Sequence, residues 1–422
     1  MAVLATANLF VPNVGGSVLT DPTLITLGIA TLMAAHVWFS DRGLIGAPHL
    51  PLVGVAASFV PGLLAAASND YGQSKAQGLV MTFVIAWAAL QLLQQPKARL
   101  TFLWTLALCG IAVSAVLLLF GEVDSFAGRS SVSGLNPIGL GRMAALGALL
   151  TGVAAVSTQG ARRLSLLAVC GFTTYSAATT GSRGPILAAA IALLLATLVG
   201  RRSASRLTRA FGAGAVLTLG YALLTSTATD ATARIFSDDS SGRTQLWSES
   251  LTVAREHPGG IGFGNLYGHI TPPPWSLSTG YTEYSHNMLL EAAVEGGWVA
   301  LAGLVLVLVI SLKALVSQVT CPNGIAMLAV FVFSVANASV SSDLVGNRLM
   351  WVMIGAGLAL RLRRLVPRLG RVHIDRRSRP PSPNELVAAS PALFSRNVAG
   401  MRLTVAGTSP CPSRPCPGTA LL

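Results

Sequence analysis

The sequence predicts an all-α polytopic membrane protein of about eleven transmembrane helices, ten to twelve being allowed, with one large extracytoplasmic loop before the last three helices. Composition is the first observation behind this: 52% of the 422 residues are hydrophobic, 11% are charged and the mean hydropathy is +0.63, a make-up foreign to ordinary soluble domains. Recurrence is the second. Apolar stretches long enough, or nearly so, to cross about 30 Å of hydrocarbon follow one another along almost the whole chain. No sizeable soluble domain is left over. The expected organisation is a transmembrane helical domain over 1–365, including a polar loop at 225–284, and a disordered basic cytoplasmic tail over 366–422.

In order, the predicted spans are Leu24 to Phe39, Leu50 to Ala66, Leu79 to Leu93, Leu100 to Phe120, Ile138 to Val156 and Leu164 to Thr180. Pro185 to Val199, Ala210 to Leu224, Gly297 to Val316, Ile325 to Val340 and Leu349 to Leu362 complete the set. Several fall short of about 17 residues and must borrow flanking polar residues to span. Residues Met1 to Thr20 are apolar but broken by Pro12, Gly15 and Gly16, and lack the basic start and cleavage site of a signal peptide. They leave the N-terminus outside, or form an irregular first span that brings it inside and makes twelve helices.

Basic residues orient the bundle, because short cytoplasmic loops retain Lys and Arg. If the spans alternate, Lys97 and Arg99, Arg162 and Arg163, the Arg201–Arg209 cluster, Lys313, and Arg361, Arg363 and Arg364 share one side, the cytoplasm. Arg129, Arg183 and the segment from Thr225 to Tyr284 then lie outside. The net charge of +13 is largely this positive-inside excess plus the tail, so no nucleic-acid partner is expected. After Arg364 the chain turns Pro-, Ser- and Arg-rich without periodicity, the mark of a solvated tail. The five cysteines and six histidines show no metal-ligand spacing, so no metal site and no cofactor are expected.

Within the outer segment, Trp247, Leu251 and Ala254 recur at helical spacing, with Ser241 or Asp239 as a cap, which predicts a short amphipathic helix at the membrane face. Pro258, Gly259 and Gly260 end it. The "GIGFGN" that follows has no strand before it and is not a nucleotide-binding fingerprint. After "TPPPW" stiffens the loop, the chain returns to the membrane through "YSHNMLLEAAVEGGWVAL", which places His286 and Asn287 where a polar segment meets an apolar span.

The stretches "GLNPIGLGRM", "TTGSRGPILAAAIALLL", "SGRTQLW", "HPGGIGFGN" and "SHNMLLEAAVEGGWVAL" occur in the order expected of one family, and over about Arg129 to Gly297 the chain resembles the O-antigen ligase and polymerase superfamily. The resemblance implies a glycosyltransferase of cell-surface polysaccharide biosynthesis in the bacterial cytoplasmic (inner) membrane. Its active site would face the extracytoplasmic side. Its donor would be a polyprenyl-diphosphate-linked glycan, its acceptor a glycan or lipid-linked acceptor, and its other partners membrane lipids. Arg183 and Arg243 match the family's arginines and would hold the diphosphate, as a rigid, permanently charged guanidinium fork can. His286 would take the acceptor's proton in an inverting, metal-independent displacement.

Arg129, Arg142, Asn287 and Glu291 are further expected substrate-binding groups; Arg142 falls inside an apolar span and needs a partner or water. Glu291 and Glu295 share a helical face but neither is in register with His286, while Glu283 is an alternative base in the loop. Each assignment has a structural alternative: Arg183 snorkels to headgroups, Arg243 is a solvated loop residue, His286 caps a helix or orients the diphosphate. A secondary transporter or exporter of a lipid-linked or small solute is the competing function, with Arg142 marking a midplane pathway.

Overall fold

In the computed structural model of the chain, the described residues are 1–2, 5, 22–40, 49–123, 130–132, 135–199, 243–271, 284–341 and 343–365. The expected span Ala210–Leu224, Arg129, Glu283 and the tail after residue 365 lie outside them. Nearly everything described is helical. The helices are α1 (Pro22–Ser40), α2 (His49–Leu64), α3 (Asp70–Leu92), α4 (Pro96–Phe120), α5 (Pro137–Ser157), α6 (Gly160–Thr179), α7 (Arg183–Val199), α8 (Arg243–Glu256), α9 (Met288–Val316), α10 (Pro322–Ala338) and α11 (Arg348–Leu365). A two-stranded antiparallel hairpin, β1 (Glu122–Val123) on β2 (Ser130–Ser131), closes the α4–α5 connection.

Among the described residues, α3, α4, α5 and α9 are long and apolar enough to cross a membrane, and α1, α2, α7, α10 and α11 carry shorter apolar stretches. The chain is a multi-pass membrane protein. Small residues let its helices approach closely, which is how apolar helices associate without a solvent-driven force between them. Gly110 of α4 lies against Gly147 of α5, where an added Cβ would come within 2.6 Å of the facing Cα. At Gly355 of α11 the neighbour is the Ala86 carbonyl of α3, and at Gly357 it is Ser311 of α9. Helices α5 and α11 are thereby enclosed, whereas α1, α4 and α9 expose large apolar side chains such as Leu32, Leu119 and Val299.

Two boundaries differ from the sequence expectation in ways that matter. Helix α3 begins at Asp70 rather than Leu79, because Asn69 caps it by accepting the Gly72 N–H at 2.7 Å, and so Lys75 sits inside the helix and is buried. Helix α9 begins at Met288 rather than Gly297, and Gly297 is instead a break in it, with φ 85° and ψ 171°. A nine-residue half-helix, Met288–Gly296, therefore precedes the long arm from Trp298 to Val316.

The "GGIGFGN" strap explains the break. Ile261 and Gly262 donate to the carbonyls of Val294 and Glu295 at 2.9 and 3.0 Å, Phe263 donates to Gly62 at 3.2 Å, and Trp298 donates to Pro258 at 3.0 Å, so the strap takes up carbonyls at the end of the half-helix. Gly260, Gly262 and Gly264 all have φ near +84°, a region that only glycine occupies without strain. Each of them meets different backbone: a Cβ on Gly260 would lie 2.6 Å from the Gly297 nitrogen, one on Gly262 would overlap the Ala65 carbonyl, and one on Gly264 would lie 2.6 Å from the Gly72 Cα. These glycines clasp the half-helix to α2 and α3. Gly262→Ala is expected to destabilise the protein by at least about 1–3 kcal/mol, seen as a lowered unfolding midpoint in detergent. Gly259→Ala, which meets nothing within 4 Å, stays near wild type.

Candidate active site

The half-helix opens with a tight polar turn. Asn287 is extended and its Oδ1 accepts the N–H groups of Leu289 and Leu290 at 2.9 and 3.3 Å, a side-chain cap. His286 is the one non-glycine among the described residues with positive φ, at 51°. Such a conformation is uncommon, though histidine adopts it more readily than most residues. Around it, Trp247 Nε1 donates to the Ser285 carbonyl at 2.8 Å, Ser285 Oγ donates to the Asn287 carbonyl at 3.1 Å, and the Tyr284 ring lies 4.5 Å from the imidazole. The turn is fixed from both sides.

Helix α8 packs on the half-helix through Leu246, Val253 and Ala254 against Ala293 and Val294. The expected amphipathic face on Trp247, Leu251 and Ala254 is thus rotated by one residue. It meets protein, and it leaves the Trp247 indole to hold the His286 turn. The expected caps Ser241 and Asp239 lie outside the described residues. At the start of α8, Arg243 Nη1 donates to the Val340 carbonyl at 2.9 Å, in the turn between α10 and α11. Arg183 starts α7, and its neighbour Gly184 rests on the Val340 side chain, a Cβ there lying 3.2 Å away. Arg142 follows Gly141, which packs on Thr180 and Ser182 just before α7, and it lines a cavity of about 40 Å³ with Ser334, Asn337 and Asn347.

Arg243, Arg142 and His286 therefore meet beside the turn that holds Val340 and Asp343, and the start of α7, which bears Arg183, rests on the same turn through Gly184. His286 lies within electrostatic reach of Arg243, Asp343 and Arg142. Burial first, and then the two guanidinium charges against the opposing Asp343, push its pKa down to about 4. The imidazole is neutral at physiological pH. Positive charge set against a neutral proton acceptor is an arrangement suited to an anionic substrate with a hydroxyl beside it. Among the described residues no group of three His, Cys, Asp or Glu side chains is placed to hold a metal ion.

Glu291, expected among substrate-binding groups, is engaged inside the fold instead. Its Oε1 pairs with Lys75 at 2.8 Å and its Oε2 accepts the Leu344 N–H at 2.8 Å. Glu295 pairs with the same Lys75 at 2.6 Å. Asp343, Tyr284 and Lys75 were not singled out by the sequence reading. A lone acid between two apolar helices was the available signal for Asp343, and a single lysine beside a span was the signal for Lys75. Arg129 lies outside the described residues. Removing the cap in Asn287→Ala is expected to lower stability by about 1 kcal/mol, while Asn287→Ser retains most of it; thermal unfolding of the purified variants checks this.

The comparisons bear on the same segment. Residues 166–305 match the family model described as O-antigen ligase. No curated protein matches the chain. Among solved structures, one similar chain comes from work on the structural coordination of polymerization and crosslinking by a peptidoglycan synthase complex; it is 16% identical, with a TM-score of 0.44, and the likeness covers 74% of this chain and 96% of that chain. The matched stretch holds Arg183, Arg243, His286, Asn287 and Glu291, and over it the chain is similar to the O-antigen ligase family, in line with the superfamily that its motifs resemble.

Proposed function

We propose that this protein is a membrane glycosyltransferase that ligates or polymerises glycans from a polyprenyl-diphosphate-linked donor on the outer face of the cytoplasmic membrane. The observation that carries this reading is the meeting of Arg243 at the start of α8 with His286 at the start of α9 beside the Val340 turn, on which the start of α7, bearing Arg183, also rests. An arginine in the first turn of a helix opposes the helix dipole, so an anion bound beside Arg183 and Arg243 would relieve an unfavourable charge at each helix start. The described basic residues Lys97, Arg99, Arg162, Arg163 and Lys313 lie toward the opposite helix ends, which supports an extracytoplasmic site by the positive-inside rule. About eleven spans, with the loop before the last three, remain the proposed topology.

In this reading Arg183 and Arg243, with Arg142 and Arg129 as further substrate-binding groups, hold the two phosphates and stabilise the charge that grows on them as the bond breaks. His286 removes the proton of an acceptor hydroxyl. The freed oxygen attacks the anomeric carbon, the bond from that carbon to the diphosphate oxygen breaks, and its electron pair leaves with the diphosphate. Configuration inverts in the single displacement, and arginines carry the load that a metal would otherwise carry. Asn287 closes the helix cap and lines the approach to His286. The phosphates also offset the guanidinium charges that depress the imidazole, so donor binding raises the basicity of His286 at the moment it is needed.

Transfer from lipid-linked glycans extracted from host membranes, measured with reconstituted protein in EDTA, tests the reading. Arg183→Lys, Arg243→Ala and His286→Gln are each expected to lose at least about a hundredfold in turnover while remaining folded. Full activity in any of them removes that residue from the site. Movement of substrate across the vesicle without transfer makes the protein a transporter. The depressed pKa has a sign: His286 accepts protons only above it, so kcat/KM falls below a pH of about 4. The acid limb of kcat, which reports the donor complex, lies at higher pH. A limb in kcat/KM near the ordinary histidine value would contradict the depressed pKa.

A further inference from the structure

Beneath the site lies a buried ion cluster that the proposed chemistry does not use. Lys75 of α3 stands between Glu291 and Glu295 of the half-helix at 2.8 and 2.6 Å, and all three side chains are at most 2% exposed. Burial of charge at this depth is costly and needs a return beyond stability, since uncharged groups of similar shape usually serve stability as well. The links out of the cluster show where it acts. Glu291 also accepts the Leu344 N–H, which ties the half-helix to the turn whose Val340 carbonyl holds Arg243. The Glu295 backbone carbonyl also accepts the Gly262 N–H of the strap at 3.0 Å. His286 stands five residues before Glu291 at the head of the same half-helix, which Gly297 separates from the arm below.

Resting on the glycosyltransferase reading above, we infer that Lys75 is a positioning residue: with Glu291 and Glu295 it sets the depth and rotation of the half-helix and so fixes His286 against Arg243. Two carboxylates at i and i+4 define one face, and a single cation bonded to both locks that face toward α3. Releasing it lets a nine-residue element turn or slide. A displacement of about 1 Å at a reacting group costs about a hundredfold in rate.

Lys75→Met alone leaves two buried carboxylates uncompensated and is expected to unfold, so the informative variant is Lys75→Met/Glu291→Gln/Glu295→Gln. It removes every charge and keeps an acceptor for Leu344. The expected result is a near-normal unfolding midpoint and near-normal affinity for undecaprenyl diphosphate in nanodiscs, with KM for the donor held and kcat down at least about tenfold. Diethylpyrocarbonate labelling of His286, referenced to exposed His269, changes in the same variant. Should the triple variant fail to fold, Lys75→Glu/Glu295→Lys restores one cation between two acids and is expected to recover turnover lost in Lys75→Glu. A folded triple variant with wild-type kcat and wild-type His286 labelling overturns the inference, as does a folded swap no more active than Lys75→Glu. Failure of the function reading looks different: wild type itself transfers nothing, and the labelling difference still decides the role of Lys75.

Discussion

Two carboxylates one turn apart on a buried half-helix repel each other and each must leave water, so the Met288–Gly296 segment is tenable only with a cation between Glu291 and Glu295. Lys75 is that cation. Its placement depends on α3 extending back to Asp70, which in turn depends on the Asn69 cap. The strap at Gly260–Gly264 then has a fixed surface to clasp, and the carbonyls freed at the Gly297 break find donors there. Hydrophobic packing brings these helices together without direction; the ion cluster and the glycine contacts supply the register.

What that register presents at the membrane face is an electrostatic asymmetry. Guanidinium groups from two helices, Arg142 of α5 and Arg243 of α8, lie within electrostatic reach of Asp343 and of the neutral His286 imidazole. Burial first, and then these guanidinium charges, hold His286 unprotonated. In the proposed reaction a bound diphosphate would offset the guanidinium contribution. On that reading, donor affinity and His286 basicity are coupled through Arg243 and Arg142.

Hydropathy makes most of the helices legible in the sequence, since an apolar run bounded by basic residues leaves a helix few alternatives. Motif order singles out Arg183, Arg243 and His286 as the proposed site, and the fold sets Arg243 and His286 beside the same turn. The ion cluster was not readable that way. A span was expected to begin at Leu79, where the apolar run starts, because the capped polar turns before it look like loop until the partner of Lys75 is known. Glu291 suggested substrate for the same reason: its actual partners, Lys75 and Leu344, lie far away in sequence and meet it only through packing. The face of α8 shifted by one residue because the surface it meets is protein, where Ala293 and Val294 select Leu246 and Val253 over Leu251. Asp343 carries no periodicity at all; its place is set by a turn.

The break at Gly297 separates two environments that a continuous helix would have to satisfy together. From Glu291 to Gly297 every residue is buried in protein, whereas Trp298 and Val299 just beyond are 43% and 68% exposed, as suits a surface meeting lipid. A straight helix would transmit any tilt imposed by bilayer thickness directly to His286. With glycine at the break, strap donors before it and the Pro258 carbonyl accepting Trp298 N–H after it, the arm takes its tilt from lipid and α2 while the half-helix takes its position from Lys75. The strain-free positive φ of Gly297 is what permits the division, and the Trp298 indole, donating to the Ala254 carbonyl at 2.9 Å, anchors the arm to α8 at the same level. Precision at the imidazole therefore derives from protein contacts alone, in a chain whose remaining surface is tuned to a fluid.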